Sequence, residues 1–276
     1  MGRIMACLAW AGMLALGAWA PAAGEDRHVP GAPQLSVRQV TETLFKLSGG
    51  ARADFSGKVL GYLDLSGLDF KRAVIRDADL YGADFTGARL AGADLSGSRL
   101  DRAVIIRADF SGADLSRATL LRPTVYQTMA YDHRDAPRFA GARLVGVRVQ
   151  ARLDGADFRG ADLTRADFSP LETRPGQGTL VTLRANECRS CDFSGAILKD
   201  ADFTNAYLTF ARFSGADLTG AVLAGVDLSM ADLSGATLTG ADLTGADLDG
   251  TRLTGTVGLE TVVGWDKAVN VGRVRR

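Results

Sequence analysis

The sequence predicts an all-β solenoid, a chain wound into stacked short-sided coils. Three observations carry that prediction. An apolar residue recurs every five positions over most of the chain, an alanine stands two positions before most of these, and glycine is abundant (33 of 276 residues) while aromatics are scarce at 7%. A period this short marks a repeat architecture. In extended backbone, residues two apart point the same way, so the alanine and the apolar residue face inward together while the residue between them faces water. Coils stacked about 4.8 Å apart leave a narrow interior, which favours small side chains at one inward position.

Taken in chain order, residues 1–23 read as a secretory signal. A single early charge, Arg3, precedes an apolar run over residues 4–20, and Ala20, Ala22 and Ala23 stand before the polar Gly24-Glu25-Asp26, which suits cleavage after Ala22 or Ala23. The rival reading is an uncleaved anchor helix, because about 17 apolar residues is the short end of a membrane span. Cys7 lies at the start of the apolar run, where lipidation is not favoured. No later segment is apolar enough to span a bilayer, so the expected location is periplasmic or secreted. Residues 24–50 form a linker followed by a short helix. Ser36 and Gln39 make a capping box, Val37, Val40, Leu44 and Leu47 share one face, and Gly49-Gly50 supplies the stop. Such a helix would cover the open first edge of the stack.

The repeats occupy residues 51–255. Central apolar residues fall at Phe55, Leu60, Leu65, Phe70 and onward to Leu120 without a break in phase, flanked by Ala at the second inward position and by Ser-Gly or Thr-Gly at the turns. Motifs such as Ala83-Asp84-Phe85-Thr86-Gly87, Ala216-Asp217-Leu218-Thr219-Gly220 and Ala241-Asp242-Leu243-Thr244-Gly245 recur throughout. On these the sequence resembles the pentapeptide repeat family over most of residues 53–253. The resemblance implies a right-handed quadrilateral β-helix with four five-residue sides per coil. A 20-residue coil would place Asp192, Arg212, Asp232 and Arg252 in one outward column of alternating sign, and would stack Asp69, Arg89 and Asp109 in the same way in the first block. That stacking predicts that Arg212→Asp costs more stability than Arg99→Asp. Other columns, such as Asp94 over Asp114, bring like charges together.

Two interruptions, residues 121–138 and 169–182, break the repeat, and residues 256–276 form a C-terminal cap and tail with Trp265 closing the stack. One residue is missing before Leu153, whereas Phe168 and Leu183 stay in phase across the second interruption. The first contains Tyr126, Met129, Tyr131, His133 and Arg134, the aromatic and cationic chemistry enriched at binding hot spots. These five are the candidate partner-binding residues. The alternative is that the tyrosines simply pack on the neighbouring wall. Cys188 and Cys191 occupy a central and a small inward position on either side of one corner, which fits packed thiols or a structural disulfide equally. A metal site lacks further ligands near this pair, since His28 and His133 are distant in sequence.

No catalytic, cofactor or metal constellation emerges, because the aspartates recur as outward repeat residues and no histidine stands near the corner Ser and Thr hydroxyls. The expectation is a non-enzymatic exported scaffold or interaction module, free of nucleic acid, that binds an envelope protein and forms a homodimer through a solenoid end. The resemblance supplies an alternative, since some family members mimic DNA and bind DNA gyrase in the cytoplasm. Charge bears on that choice. The 32 basic and 32 acidic residues cancel overall, yet residues 98–165 hold twelve arginines against eight aspartates, and residues 183–250 hold ten acids against four bases. The chain is polarised along its axis without a uniform acidic surface.

Overall fold

The computed structural model describes residues 31–46, 51–70, 72–126, 132–171 and 185–276. The expected signal, residues 1–23, lies outside them. Among the described residues no helix is long and apolar enough to cross a membrane.

Four parallel ladders define four walls. Wall 1 runs from Asp54 to Val257, wall 2 from Val59 to Val263, wall 3 from Asp64 to Val269 with a gap between Thr124 and Arg152, and wall 4 from Asp69 to Arg275. Along wall 1 the paired residues are Asp54, Val74, Asp94, Asp114, Arg143, Asp162, Ile197, Asp217, Thr237 and Val257, which makes ten coils. Each side is held from both edges. Phe55 N donates to Val74 O (2.7 Å), and Val74 N donates back to Ala53 O (2.7 Å).

The repeat residues account for each corner. The alanine amide closes a turn on the preceding central carbonyl, as from Ala83 N to Leu80 O (3.0 Å). The outward aspartate accepts from the amide and hydroxyl two residues on, as Asp192 Oδ1 does from Ser194 N (3.0 Å) and Ser194 Oγ (2.6 Å). This local bond, and not polarity alone, explains why Asp is followed two places later by Ser or Thr. The next residue adopts a left-handed backbone, which glycine enters without steric cost. Several corners nonetheless place a side chain there, among them Arg117 (φ 59°), Arg165 (φ 56°), Phe210 (φ 60°) and Met230 (φ 60°).

The interior is a stack of Ala, Leu, Ile and Phe. Behind wall 4, Phe110, Phe139, Phe158, Phe193 and Phe213 lie face to face with successive ring centroids 4.8–5.1 Å apart. That column passes through the levels of both insertions without interruption, so the core stays in register across them. At the first edge, helix α1 (Val37–Lys46) turns Val40 and Leu44 into the core. Ser36 and Gln39 exchange the two bonds of a capping box, 2.8 Å and 3.3 Å, and Gln34 N donates to Val59 O (2.8 Å) on the otherwise open edge.

The far end departs from a simple tail. Residues 256–276 complete a tenth coil whose steps lengthen one residue at a time, from 20 (Thr237 to Val257) through 21 (Asp242 to Val263) and 22 (Asp247 to Val269) to 23 (Arg252 to Arg275). Each added residue goes into a 3-10 turn at a corner: Leu259–Thr261, Trp265–Lys267 and Val271–Arg273. Gly258 opens the first of them at φ 84°, where a Cβ would stand 2.6 Å from the Thr239 amide nitrogen, so glycine is required twice over. Trp265 packs on the core from this last coil.

Candidate functional site

Both insertions leave the coil at the edges of wall 3. The step from Asp109 to Arg138 is 29 residues instead of 20, while Thr124 still pairs with Val104 at 20, so nine extra residues lie between Thr124 and Arg138, at the corner from wall 3 to wall 4. The step from Arg152 to Glu187 is 35, so fifteen extra residues lie between Asp167 and Glu187, at the corner from wall 2 to wall 3. The irregular segments are therefore shorter in the first case than residues 121–138, because Leu121 ends a regular strand, β1 (Thr119–Leu121).

Between them sits the one-residue deletion. Arg148 pairs with Asp167 at a step of 19, and the short corner follows β2 (Arg148–Gln150), which runs beside β1. With a residue missing, Ala151 N cannot close the usual turn. Asn186 replaces it: the buried amide accepts from Ala151 N at Oδ1 (2.6 Å) and donates through Nδ2 to Val149 O (3.2 Å) and Phe168 O (2.5 Å). The side chain is inserted between the two groups that a normal corner would bond to each other.

On wall 3 this brings together groups that are far apart in sequence. Asp154 is 3% exposed and accepts from Arg189 N at Oδ1 (2.8 Å) and from Arg152 Nε at Oδ2 (2.8 Å). Arg152 also reaches Glu187 (3.3 Å), and Arg189 bonds Glu187 (2.6 Å) and approaches Asp154 (3.6 Å). Aromatic rings close both ends. Arg152 lies 5.5 Å from the ring centre of Tyr126, whose hydroxyl donates to Asp154 O (3.1 Å), and Arg189 lies 5.1 Å from that of Tyr207. The bond it donates to Asp154 is the main reason the Arg152 guanidinium is held above its ordinary pKa. The bond between Cys188 and Cys191, Cα atoms 5.4 Å apart, is buried behind Glu187 and Arg189 and ties the inner side of that corner.

Wall 3 continues into an apolar edge. Phe210 is 59% exposed and Met230 47% exposed, one above the other at the corner from wall 3 to wall 4, beside the exposed Tyr207. A bulky residue in the left-handed region is an outlier that costs roughly 1–3 kcal/mol and needs a reason.

The sequence-predicted partner residues divide. Tyr126 joins the wall 3 network, so it packs on the neighbouring wall and also borders the cationic strip. His133 and Arg134 sit on a 3-10 turn, His133–Asp135, where Asp132 caps Arg134 N (2.9 Å) and pairs with its guanidinium (2.7 Å). Those hydrogen bonds draw the exposed Asp132 carboxyl down to about 2. Met129 and Tyr131 lie outside the described residues. Sequence reasoning did not single out Arg152, Asp154, Glu187, Arg189, Phe210 or Met230. One signal was available: Arg99-Leu100-Asp101 and Arg152-Leu153-Asp154 both put Arg where the repeat has Asp and Asp where it has Ser or Thr. The structure gives both the same arrangement, with Asp101 accepting from Leu121 N (3.0 Å) and Arg99 Nε (2.6 Å) while Arg99 lies 4.8 Å from the ring centre of Tyr81. Among the described residues, no cluster of three or more His, Cys, Asp and Glu is placed to hold a metal ion.

A four-walled parallel β-helix with five-residue sides, opened at two corners of one wall, defines a repeat scaffold with an elaborated face. The chain belongs to the pentapeptide repeat family, whose model matches residues 51–87, 83–120, 138–169, 187–225 and 216–255, more than half of its length. The family's fold is a protein-interaction or regulatory one. Among solved structures, the chain is similar to HetL, a pentapeptide repeat protein involved in heterocyst differentiation regulation from the cyanobacterium Nostoc sp. strain PCC 7120, at 24% identity over 85% of this chain and 94% of that one (TM-score 0.44). It is also similar to a pentapeptide repeat protein of the Arabidopsis thaliana thylakoid lumen, at 29% identity over 46% and 70% (TM-score 0.25), and to full-length QnrB1, a plasmid-mediated fluoroquinolone resistance protein, at 21% over 72% and 92% (TM-score 0.32). The family assignment rests on the repeats themselves. No curated protein matches the sequence.

Proposed function

We propose that this protein is a non-catalytic interaction module that presents wall 3 to a protein partner in the cell envelope. The binding surface runs from Tyr126 through Arg152 and Arg189 to Tyr207 and ends on Phe210 and Met230. The observation that carries this reading is the pair of bulky apolar side chains held exposed in left-handed corners, where glycine would be cheaper, at the end of a strip of paired arginines and tyrosines. Tyrosine and arginine anchors beside exposed apolar groups are the chemistry of interface hot spots. Export rests on the leader-like residues 1–23. The DNA-mimic alternative is less well supported, because Arg138, Arg143, Arg148 and Arg152 occupy the outward positions of four successive sides and interrupt any continuous acidic wall. A homodimer through the last coil would use its open edge, since the exposed Val257, Val263 and Val269 face outward on three different walls.

The test replaces Phe210 and Met230 with glycine, the ordinary corner residue, so that folding is not at risk. Photocrosslinking from position 207 in cells should capture a partner with the parent protein and lose it with F210G/M230G, at unchanged β-type circular dichroism. Capture that survives the double substitution would move the site elsewhere. Fractionation with N-terminal sequencing tests export separately; an intact Met1 on purely cytoplasmic protein would overturn that part.

A further inference from the structure

A second surface, remote from wall 3, has a different chemistry. A groove of about 710 Å³ runs along the corner between walls 1 and 2, from Arg76 in the second coil to Arg165 in the sixth. Two of its four arginines are neutralised on the walls, Arg76 by Asp94 (2.5 Å) and Arg143 by Asp114 (3.3 Å), which also relieves the like-charge stacking of Asp94 over Asp114. The other two, Arg117 and Arg165, are exposed and make no side-chain hydrogen bond or ion pair among the described residues. Both stand in left-handed corners that Gly146 fills on the coil between them. Between Arg117 and the neutralised Asp114 lies Ser116, buried, lining the groove, with its hydroxyl lacking any hydrogen-bond partner. In Ser96, one coil earlier, the corresponding hydroxyl is consumed by its own aspartate (2.7 Å).

Two free guanidinium groups and an unsatisfied hydroxyl on one groove call for an anionic ligand, since carboxylates pair with Arg in a two-pronged fashion and an unmet buried hydroxyl is costly. We propose that this groove binds an acidic peptide segment of a partner, in polyproline II conformation, with carboxylates three residues apart. Spacing and charge select that class. Arg117 and Arg165 are two coils apart, about 9.6 Å at the usual strand separation. A polyproline II chain repeats one face every third residue, about 9.3 Å. A β-strand would bring same-face side chains back at about 6.7 Å or 13 Å, which fits less well. Asp77, Asp94 and Asp114 also line the groove, so four arginines meet three carboxylates. That modest excess suits a ligand with two isolated charges and repels a dense polyanion.

The experiment uses fluorescent peptides on the intact protein, by anisotropy at low and moderate salt. (Glu-Pro-Pro)4 should bind, and (Gln-Pro-Pro)4 should bind at least ten-fold more weakly. R117G/R165G, which restores the ordinary corner residue, should weaken (Glu-Pro-Pro)4 binding at least ten-fold with no fall in melting temperature, and F210G/M230G should leave it unchanged. Absence of binding, equal binding of the Gln peptide, or full binding by R117G/R165G would overturn the proposal. Tighter binding of inorganic polyphosphate, lost in R117G/R165G, would overturn the peptide assignment in favour of a dense polyanion.

Discussion

Replacing Arg99 by methionine tests whether buried corner carboxylates, and not the outward charge columns, carry the polar stability of this solenoid. Alternating columns alone rank Arg212 above Arg99. The structure reverses that order. Arg212 is 63% exposed and sits 3.2 Å from Asp192, the geometry of a surface pair worth roughly 0.2–1 kcal/mol. Arg99 is 22% exposed, donates to an Asp101 carboxylate that is almost wholly buried, and lies over Tyr81. Losing a charge-assisted bond to a buried carboxylate costs about 1.5–3 kcal/mol, and the stacked ring adds about 0.5–1 kcal/mol. The amide of Leu121 still serves Asp101 in the variant, which holds the total near 2–3 kcal/mol. Methionine keeps most of the apolar stem, so packing changes little. Urea unfolding should therefore show R99M destabilised by about 2–3 kcal/mol and R212M by under about 1 kcal/mol. Because solenoids open locally, exchange at the Leu121 amide should also quicken in R99M. The double change R99M/D101S should recover part of the loss, since removing both partners of a buried pair is cheaper than removing one, but the Leu121 amide then loses its acceptor. Equal losses for R99M and R212M, or unchanged Leu121 exchange, would refute the reasoning.

Asn186→Ala removes the bridge across the shortened corner and leaves Ala151 N and Val149 O without it; about 2–4 kcal/mol should be lost by urea unfolding, with the fastest new exchange at Ala151. Asp132 is drawn down from the ordinary carboxylate range to about 2, so the cap on Arg134 is fully present above pH 4 and is lost as pH falls from 3.8 through 2; carbon-detected NMR titration should place its midpoint near 2 and return it toward 3.8 in R134A. Reducing the bridge between Cys188 and Cys191 frees a very short loop, so chain entropy predicts a loss of about 2 kcal/mol, visible as a melting-temperature difference of a few degrees with and without reductant.

The five-residue period made the interior legible, because inward and outward positions follow from backbone parity: Phe110, Phe158 and Phe193 could be assigned to the core from phase alone. The outward columns at a step of 20 were legible for the same reason, as Asp192, Arg212, Asp232 and Arg252 show. What parity does not encode is which outward residues meet once the step changes. Tyr126 reaches Asp154, 28 positions on, and Asp154 receives Arg189, 35 positions on, through registers set by the insertions and the deletion together. Nor does parity mark a tenth coil whose sides are no longer five residues long, so residues 256–276 looked like a tail. The Arg-Leu-Asp exchanges at Arg99 and Arg152 broke the repeat's own rule, and that departure was readable, but its consequence depended on burial.

Insertions and deletions are not equivalent in such a scaffold, and the difference explains why the elaborated face is wall 3. Extra residues can leave at a corner and return to it without moving the inward side chains, so nine and fifteen of them are accommodated while the phenylalanine column stays stacked. A missing residue cannot be looped out. It shortens the path between two walls, abolishes a turn bond, and forces the side to run on as regular strand, as β1 and β2 do. The repair, Asn186, comes from the first residues after the second insertion and sits immediately before Glu187. Restoring the missing residue would remove the need for Asn186, whereas the Arg152–Asp154 pair lies beyond the short corner and is matched by Arg99–Asp101, where no residue is missing. The shortened corner and its Asn186 brace therefore sit beside the Arg152–Asp154–Glu187–Arg189 network, on the wall whose two corners carry the insertions.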